Sequence, residues 1–303
     1  MFDPNYLHGM AQAIDQSSAR EQTLTTELSS GQRVTQLSDD PVAAAANVAL
    51  SGSIRKLDSF VQSAKSNESM MQVADNALGE VVTQVTSAIS LAVSAGNGTM
   101  SAQDMSAIQT QVTSIRDSIL ALANTSYQGQ YVFAGSQGST TPFTLNPATN
   151  PATVTYNGDT VTQKIQTPDG QQVAMNVAGS SVFTSINGNL LATLNQLVSD
   201  LAAVAGGGSS SASIQADSTA LTTALGVVSS QRAGLDSSLT RLMTASTYSA
   251  TQEAVYQAQQ STLLSADPAS VATDLKAAEV QHQALLGITS ALSGAQDLFN
   301  YIH

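Results

Sequence analysis

The sequence predicts a mainly α chain with a β insertion: an elongated antiparallel helical rod or coiled-coil bundle built from both chain ends, plus a small β domain. Three observations predict it. Apolar residues recur at three- and four-residue steps over long stretches on both sides of the middle. Between Tyr127 and Phe183 the pattern changes to β-branched and aromatic residues set among Gly, Pro and Asn turns. The composition is 42% hydrophobic but only 4% aromatic and 11% charged, so the apolar content is mostly Ala, Val, Leu and Ile, a helix-rich mixture.

The first element is read from Leu7, Met10, Ile14, Ser17, Glu21, Leu24 and Leu28, which share one helical face. Ser17 and Glu21 interrupt that seam, so this helix needs partner helices to build a core. Ser38-Asp39-Asp40-Pro41 starts the next one. Asp40 can cap free amides, Pro41 fits the first helical position, and acids favour the positive end of the helix dipole. A repeat through Leu50, Ile54, Leu57, Val61, Ala64, Glu68, Met71, Asp75, Leu78, Val82, Val85, Ile89 and Ala92 follows. Its period is close to that of a coiled coil. From Pro41 to Ala95 such a helix is about 80 Å long at the standard rise. Glu68 and Asp75 break the apolar series, and either fix register as buried polar groups or lie at a solvated edge.

Gly96-Asn97-Gly98 ends this helix, and Ser101-Ala102-Gln103-Asp104 reads as a capping box with Asp in place of Glu. The short connection makes the following helix antiparallel, with a seam of Met105, Ile108, Val112, Ile115, Ile119 and Leu122. In the β region, Asn157-Gly158 between alternating runs predicts one hairpin turn and Thr167-Pro168-Asp169-Gly170 another. An insertion at 137–183 has little core of its own and is expected to lean on the helices or on neighbouring subunits. Helical spacing resumes at Leu190, breaks at Gly206-Gly207-Gly208, and continues through Ile214, Leu221, Leu225, Val228, Leu235, Leu239 and Leu242. Asp267-Pro268 opens the last helix, whose seam is Val271, Leu275, Ala278, His282, Leu285, Ile288, Leu292, Ala295, Phe299 and Ile302. The expected domains are therefore 1–136 and 184–303, the two halves of the helical part, around 137–183.

Charge and composition exclude several functions. Ten Lys+Arg against 22 Asp+Glu give a net charge of −12, too few cations for a wide phosphate-binding surface, so no nucleic-acid partner is expected. The absence of Cys removes disulfides, thiolate metal sites and cysteine nucleophiles, and is compatible with export. The N-terminus has neither a basic segment nor a continuous apolar one, so a cleaved secretory signal is not expected, and no run of 18 apolar residues suggests membrane insertion.

His8, His282 and His303 have no metal-ligand spacing. Gly206 to Gly208 lacks the Lys and Ser/Thr of a phosphate loop, and Ala134 to Gly138 lacks a strand-to-helix setting. Asp39 and Asp40 have a capping role that accounts for them without catalysis. Met70 and Met71 read as packing residues. Sequons at Asn67, Asn97 and Asn124 carry no function here. No catalytic, cofactor-binding or metal residue is expected, and the chain is not read as an enzyme.

Both termini instead carry apolar stripes with no globular core waiting for them, so the two chain ends are expected to meet and to bury their seams against other subunits. The residues expected to bind subunits or partners are Leu7, Met10, Ile14, Leu24, Leu28, Leu275, Leu285, Ile288, Leu292, Phe299 and Ile302.

Leu28-Ser29-Ser30-Gly31-Gln32-Arg33-Val34, followed by Ser38-Asp39-Asp40-Pro41-Val42, resembles the N-terminal signature of the flagellin superfamily, in the form of its hook-filament junction branch. Tyr127 to Ser136, with Tyr131, Phe133 and Gly135, is similar to a segment of the hook-associated protein 3 (FlgL) family, as are Arg232-Ala233-Gly234 and the ending Leu298 to Ile302. The motif residues carrying the resemblance are Ser30, Gly31, Arg33, Asp39, Asp40, Pro41, Tyr131, Phe133 and Gly135. The resemblance implies an extracellular structural adaptor of the bacterial flagellum at the hook-filament junction. It also implies, as partners, copies of the chain in a ring or helical layer, an adjoining hook-associated protein, flagellin, an export chaperone and the flagellar type III export apparatus. A short flagellin that forms the filament itself is the alternative within the superfamily. An enzyme carried on the β insertion and a free-standing coiled-coil binding module are the readings outside it.

Overall fold

The computed structural model describes the backbone of residues 4–208 and 211–301 and the side chains of residues 8–208 and 211–291. The chain is mainly helical, with small antiparallel hairpins in its middle. Helix α1 (Pro4–Ser30) is followed by α2 (Pro41–Ala95) and α3 (Ala102–Ala123). Strands β1 (Ser126–Tyr127), β2 (Gln130–Tyr131), β3 (Phe143–Asn146), β4 (Thr153–Tyr156), β5 (Lys164–Gln166) and β6 (Gln172–Ala174) come next. Helices α4 (Gly179–Phe183), α5 (Leu190–Ala205), α6 (Ser211–Leu264) and α7 (Pro268–Tyr301) complete the chain.

Helices α2, α3, α5 and α7 begin where a side chain supplies a cap. Asp40 Oδ1 accepts from the amides of Val42 (3.2 Å) and Ala43 (3.0 Å) at the start of α2. The Ser101–Asp104 capping box is formed, each side chain accepting from the other residue's backbone amide, at 3.2 and 3.4 Å. Asn189 Oδ1 takes the Ala192 amide at α5, and Asp267 Oδ1 the Ala269 amide at α7. Gly31 and Gly98, at φ +68° and +70°, supply the left-handed residues after α1 and α2.

Each strand pairs with its neighbour alone: β1 with β2, β3 with β4, and β5 with β6. The β5–β6 turn is the one expected at Thr167 to Gly170, with Gly170 at φ +88°. The Asn157-Gly158 expectation is corrected. The hairpin lies one step earlier, Phe143↔Tyr156 to Asn146↔Thr153. Asn157 leaves the strand through its amide, which donates to the Pro142 carbonyl, while its side-chain nitrogen reaches Thr141 and Thr144. Gly158 is needed there for close packing: a Cβ on it would sit 2.5 Å from the Tyr156 hydroxyl and 2.7 Å from the Ala134 carbonyl oxygen.

The chain divides into two compact units, one of residues 1–56 with 252–303 and one of residues 57–251. The central unit holds the main core. Val81, Val85, Ala88, Ala92 and Ala95 of α2 are buried with Ile108, Val112 and Ile119 of α3, Leu190, Leu194, Leu197 and Leu201 of α5, and Ile214, Leu221 and Val228 of α6. Phe133, Phe143, Val173, Val182 and Phe183 belong to the same cluster, so the β region is built onto the helices. Phe183 meets Phe133 and Phe143 edge to face, each at a centroid distance of 5.3 Å. A window of α2 is long and apolar enough by composition to cross a membrane. In the central unit that helix has a buried apolar face and exposed Thr83, Thr86, Ser87, Ser90 and Ser94 on its other side.

Polar interruptions of the α2 seam are resolved individually. Asp75 receives Arg232 of α6 in a two-pronged ion pair at 2.8 and 3.1 Å, a contact between residues 157 apart. The guanidinium lies over Gly79, where a Cβ would come within 3.3 Å of it. The Asp75 hydrogen bond holds the Arg232 pKa above its ordinary value. Asp75 thus marks register between two helices, whereas Glu68 is half-buried at the edge of the seam.

Candidate assembly surface

The terminal unit brings α1 and α7 together, with the first turns of α2 and the end of α6. The turn after α1 is its organising feature. The Ala266 amide donates to the Gly31 carbonyl (2.9 Å) and the Arg33 amide to the Leu264 carbonyl (2.8 Å), across a bridge pairing Gln32 with Ser265. The Arg33 guanidinium then spans Asp40 Oδ2 at 3.1 Å and the Leu263 carbonyl at 3.4 Å. Asp39 Oδ2 gathers the amides of Thr35 and Gln36 and the Thr35 hydroxyl. These bonds, led by the Gln36 amide, lower the Asp39 pKa, and the Ala43 amide followed by Arg33 does the same for Asp40. The Ser30 hydroxyl caps the same turn by accepting from the Gln32 amide, and Pro41 opens α2. The N-terminal motif is therefore a clasp that fixes where the two ends of the chain meet.

Against this polar clasp the apolar packing is thin. Among the described residues, the buried cluster of the unit is Leu24, Val271 and Ala278, with Ala266 and Leu275 at its edge, and Val34 and Ala43 are buried apart from it. Of the residues expected to bind subunits, Leu24 is buried, Met10, Ile14, Leu275 and Leu285 are half-buried, and Leu28 and Ile288 are 40% and 49% exposed. Leu7, Leu292, Phe299 and Ile302 lie outside the residues whose side chains are described. Sequence reasoning missed other exposed apolar residues of the unit: Leu37 (68%), Val42 (80%), Val48 (68%) and Val280 (66%). They stand off the main seams, so a search for periodic stripes passes over them. An open groove of about 560 Å³ runs beside the clasp, walled by Arg33, Val255, Ala258, Gln259, Thr262 and Leu263.

The second motif is a folding junction of the central unit. The Tyr131 amide donates to the Gly138 carbonyl, and its hydroxyl accepts from Thr141 at 3.1 Å. The fully buried Phe133 offers its carbonyl to the Gly179 amide (2.9 Å) and lies 3.0 Å from the Tyr156 hydroxyl. Gly135, at φ +73°, passes against Asp159, where any Cβ would overlap the carboxylate. Asp159 accepts from the amides of Ser136 and Val161 and from the Ser136 hydroxyl. The Ser136 hydroxyl, then its amide, lower the Asp159 pKa. These bonds tie the segment after β2 to the Asp159 and Gly179 regions of the same unit. Among the described residues no group of three or more His, Asp or Glu is placed to hold a metal ion.

Long helices joined by the clasp, and hairpins packed on a helical core, are the framework that the comparisons with known proteins bear on. Residues 7–138 match the family model of the bacterial flagellin N-terminal helical region. Flagellar hook-associated protein 3 of Salmonella typhimurium is 31% identical over 177 residues, covering 58% of this chain and 54% of that protein. Its Escherichia coli counterpart is 29% identical over 180 residues, 59% of this chain and 55% of that protein. The chain thus spans about half the length of the curated relatives it matches. A solved structure of hook-associated protein 3 from Legionella pneumophila superposes with a TM-score of 0.62 at 15% identity, over 71% of this chain and 98% of that one, and shares its fold. Flagellins match more weakly and over part of their length. Over the residues matched, the chain is thus similar to hook-associated protein 3 (FlgL).

Proposed function

We propose that the chain is a non-enzymatic structural adaptor of the bacterial flagellum, placed outside the cell at the junction between hook and filament. The observation that carries this reading is the unfinished terminal unit: a firm polar clasp holding helices whose apolar residues are left partly uncovered. Such a surface is completed by other subunits, and the resemblance to hook-associated protein 3 supplies what those are. Copies of the chain form a ring or helical layer, one side meeting the preceding hook-associated protein and the other meeting flagellin. Met10, Ile14, Leu24, Leu28, Leu275, Leu285 and Ile288 form part of the buried contact, joined by Leu7, Leu292, Phe299 and Ile302. Export proceeds through the flagellar type III apparatus with the C-terminal region held by a chaperone. The weaker flagellin matches argue for an adaptor over a filament subunit.

Deleting the gene and examining the cells by electron microscopy, with flagellin assayed in the medium, tests the reading. Hooks without filaments, and flagellin lost to the medium, are expected. Absent filaments without exported flagellin favour a flagellin, and normal filaments contradict both.

A further inference from the structure

Asp217 sits in the apolar seam of α6, one turn from both Ile214 and Leu221, and is 7% exposed. Its Oδ2 is buried and has no hydrogen-bond partner that an ionised carboxylate could use. The group that faces it is the Asp200 carboxyl of α5, whose Oδ1 accepts from Gln196 Nε2 at 3.0 Å. Two carboxylates offer each other acceptors only, so their contact is satisfied when one of them carries a proton.

The neighbouring elements supply no positive charge to replace that proton. Asp200 is the single charged residue of α5, and α6 has no other before Arg232, which is paired with Asp75. The Gln215 side chain of α6 reaches the Gly96 carbonyl, which sets the end of α2 beside this part of α6, and residues 81–98 contain no charged residue. On α3, Arg116 is turned to Asp117 and Asn195, and Asp104 is held in the capping box at Ser101.

We infer that Asp217 and Asp200 form a proton-sharing pair, a pH-responsive lock on the α5–α6 corner that is closed when protonated and loosened when ionised. Protonated Asp217 donates to the Asp200 carboxylate, whose second oxygen keeps its Gln196 bond. Loss of the proton leaves two facing anions in an apolar seam, and the corner opens to admit water.

Burial, then the Asp200 charge, raises the Asp217 pKa from 3.8 to about 7. The folded corner therefore binds a proton that the opened chain releases between those values, and its stability declines as pH rises through the interval and levels off above it. Hydrogen exchange of the full chain tests this, read as protection factors for residues 197–205 and 211–221 at pH 5, 6, 7 and 8. Protection is expected to fall by up to about tenfold per pH unit to pH 7 and then flatten. Asp217→Asn, whose amide donates to Asp200 without titrating, should abolish the slope and keep high protection at pH 8. Carbon NMR of the Asp217 carboxyl should show a midpoint near 7, lowered in Asp200→Asn. A flat wild-type profile, a slope preserved in Asp217→Asn, or a carboxyl midpoint below 5 would overturn the inference.

Discussion

The two units of this chain are made of the same kinds of helix but are finished to different degrees. In the central unit, α2, α3, α5 and α6 bury Leu78, Ile119, Leu194, Leu197 and Ile214 completely, and Phe133, Phe143 and Phe183 of the region between α3 and α5 add three aromatic rings to the same core. In the terminal unit, the buried apolar cluster among the described residues of α1 and α7 is Leu24, Val271 and Ala278, and Leu28, Val280, Leu286 and Ile288 are substantially exposed. The difference lies in what each seam finds opposite it. The central helices meet apolar faces of the same chain, whereas α1 offers Ser17 and Glu21 where a core needs aliphatic residues. Ser17 Oγ and His282 Nδ1 are both buried without a hydrogen-bond partner among the described residues, a further sign that this pairing is incomplete on its own.

The sharpest contrast should come from truncating one buried leucine in each unit. Leu194→Ala is expected to destabilise the isolated chain by about 3 kcal/mol, and Leu24→Ala by about 1 kcal/mol or less, read by urea unfolding. Equal losses would break the comparison. Gly135→Ala should cost about 2 kcal/mol, because its φ is +73° and the new methyl overlaps Asp159; the loss should appear in the central unit alone. Separating the Asp75–Arg232 pair by Arg232→Met should cost about 1 kcal/mol or less, since the arginine side chain is 41% exposed. Smallest in the monomer is Ile288→Ser, expected to change stability by less than about 0.5 kcal/mol while weakening self-association, measured by sedimentation.

Acid sharpens the comparison in a different way. Asp39 and Asp40 have lowered pKa values, so the stability they lend the clasp is present above pH 3.8 and is lost as pH falls through their folded values. Asp217 acts with the opposite sign between pH 3.8 and about 7. Lowering pH from 7 to 4 should therefore tighten the α5–α6 corner before further acid loosens the clasp, as hydrogen exchange would register by region.

The sequence made local features legible because their causes are local. Pro41 and Ala95 bound α2 as expected, the Ser101–Asp104 box caps α3, and Thr167 to Gly170 turns the last hairpin. Asn157-Gly158 misleads because Tyr156 and Asp159 draw that segment against Phe133 and Ser136, a tertiary demand that overrides the turn preference. The Asp75–Arg232 pair and the Arg33 bridge to Leu263 join residues far apart in the chain, so nothing short-range announces them. Asp217 did leave a signal, since it lies between Ile214 and Leu221 in the seam, but its Asp200 neighbour required the fold. Of the candidate assembly surface, the periodic residues were legible, whereas Leu37, Val42 and Val48 became visible as exposed apolar groups once the clasp was in place.

The central claim is that the terminal unit is completed by assembly while the central unit stands alone. Hydrogen exchange on a chain verified as monomeric by sedimentation tests it most directly, followed by the same measurement in the assembled state. Residues 8–30 and 268–291 should exchange quickly in the monomer and become protected on assembly, with residues 57–205 protected in both. Strong protection of both chain ends in the monomer would contradict the account.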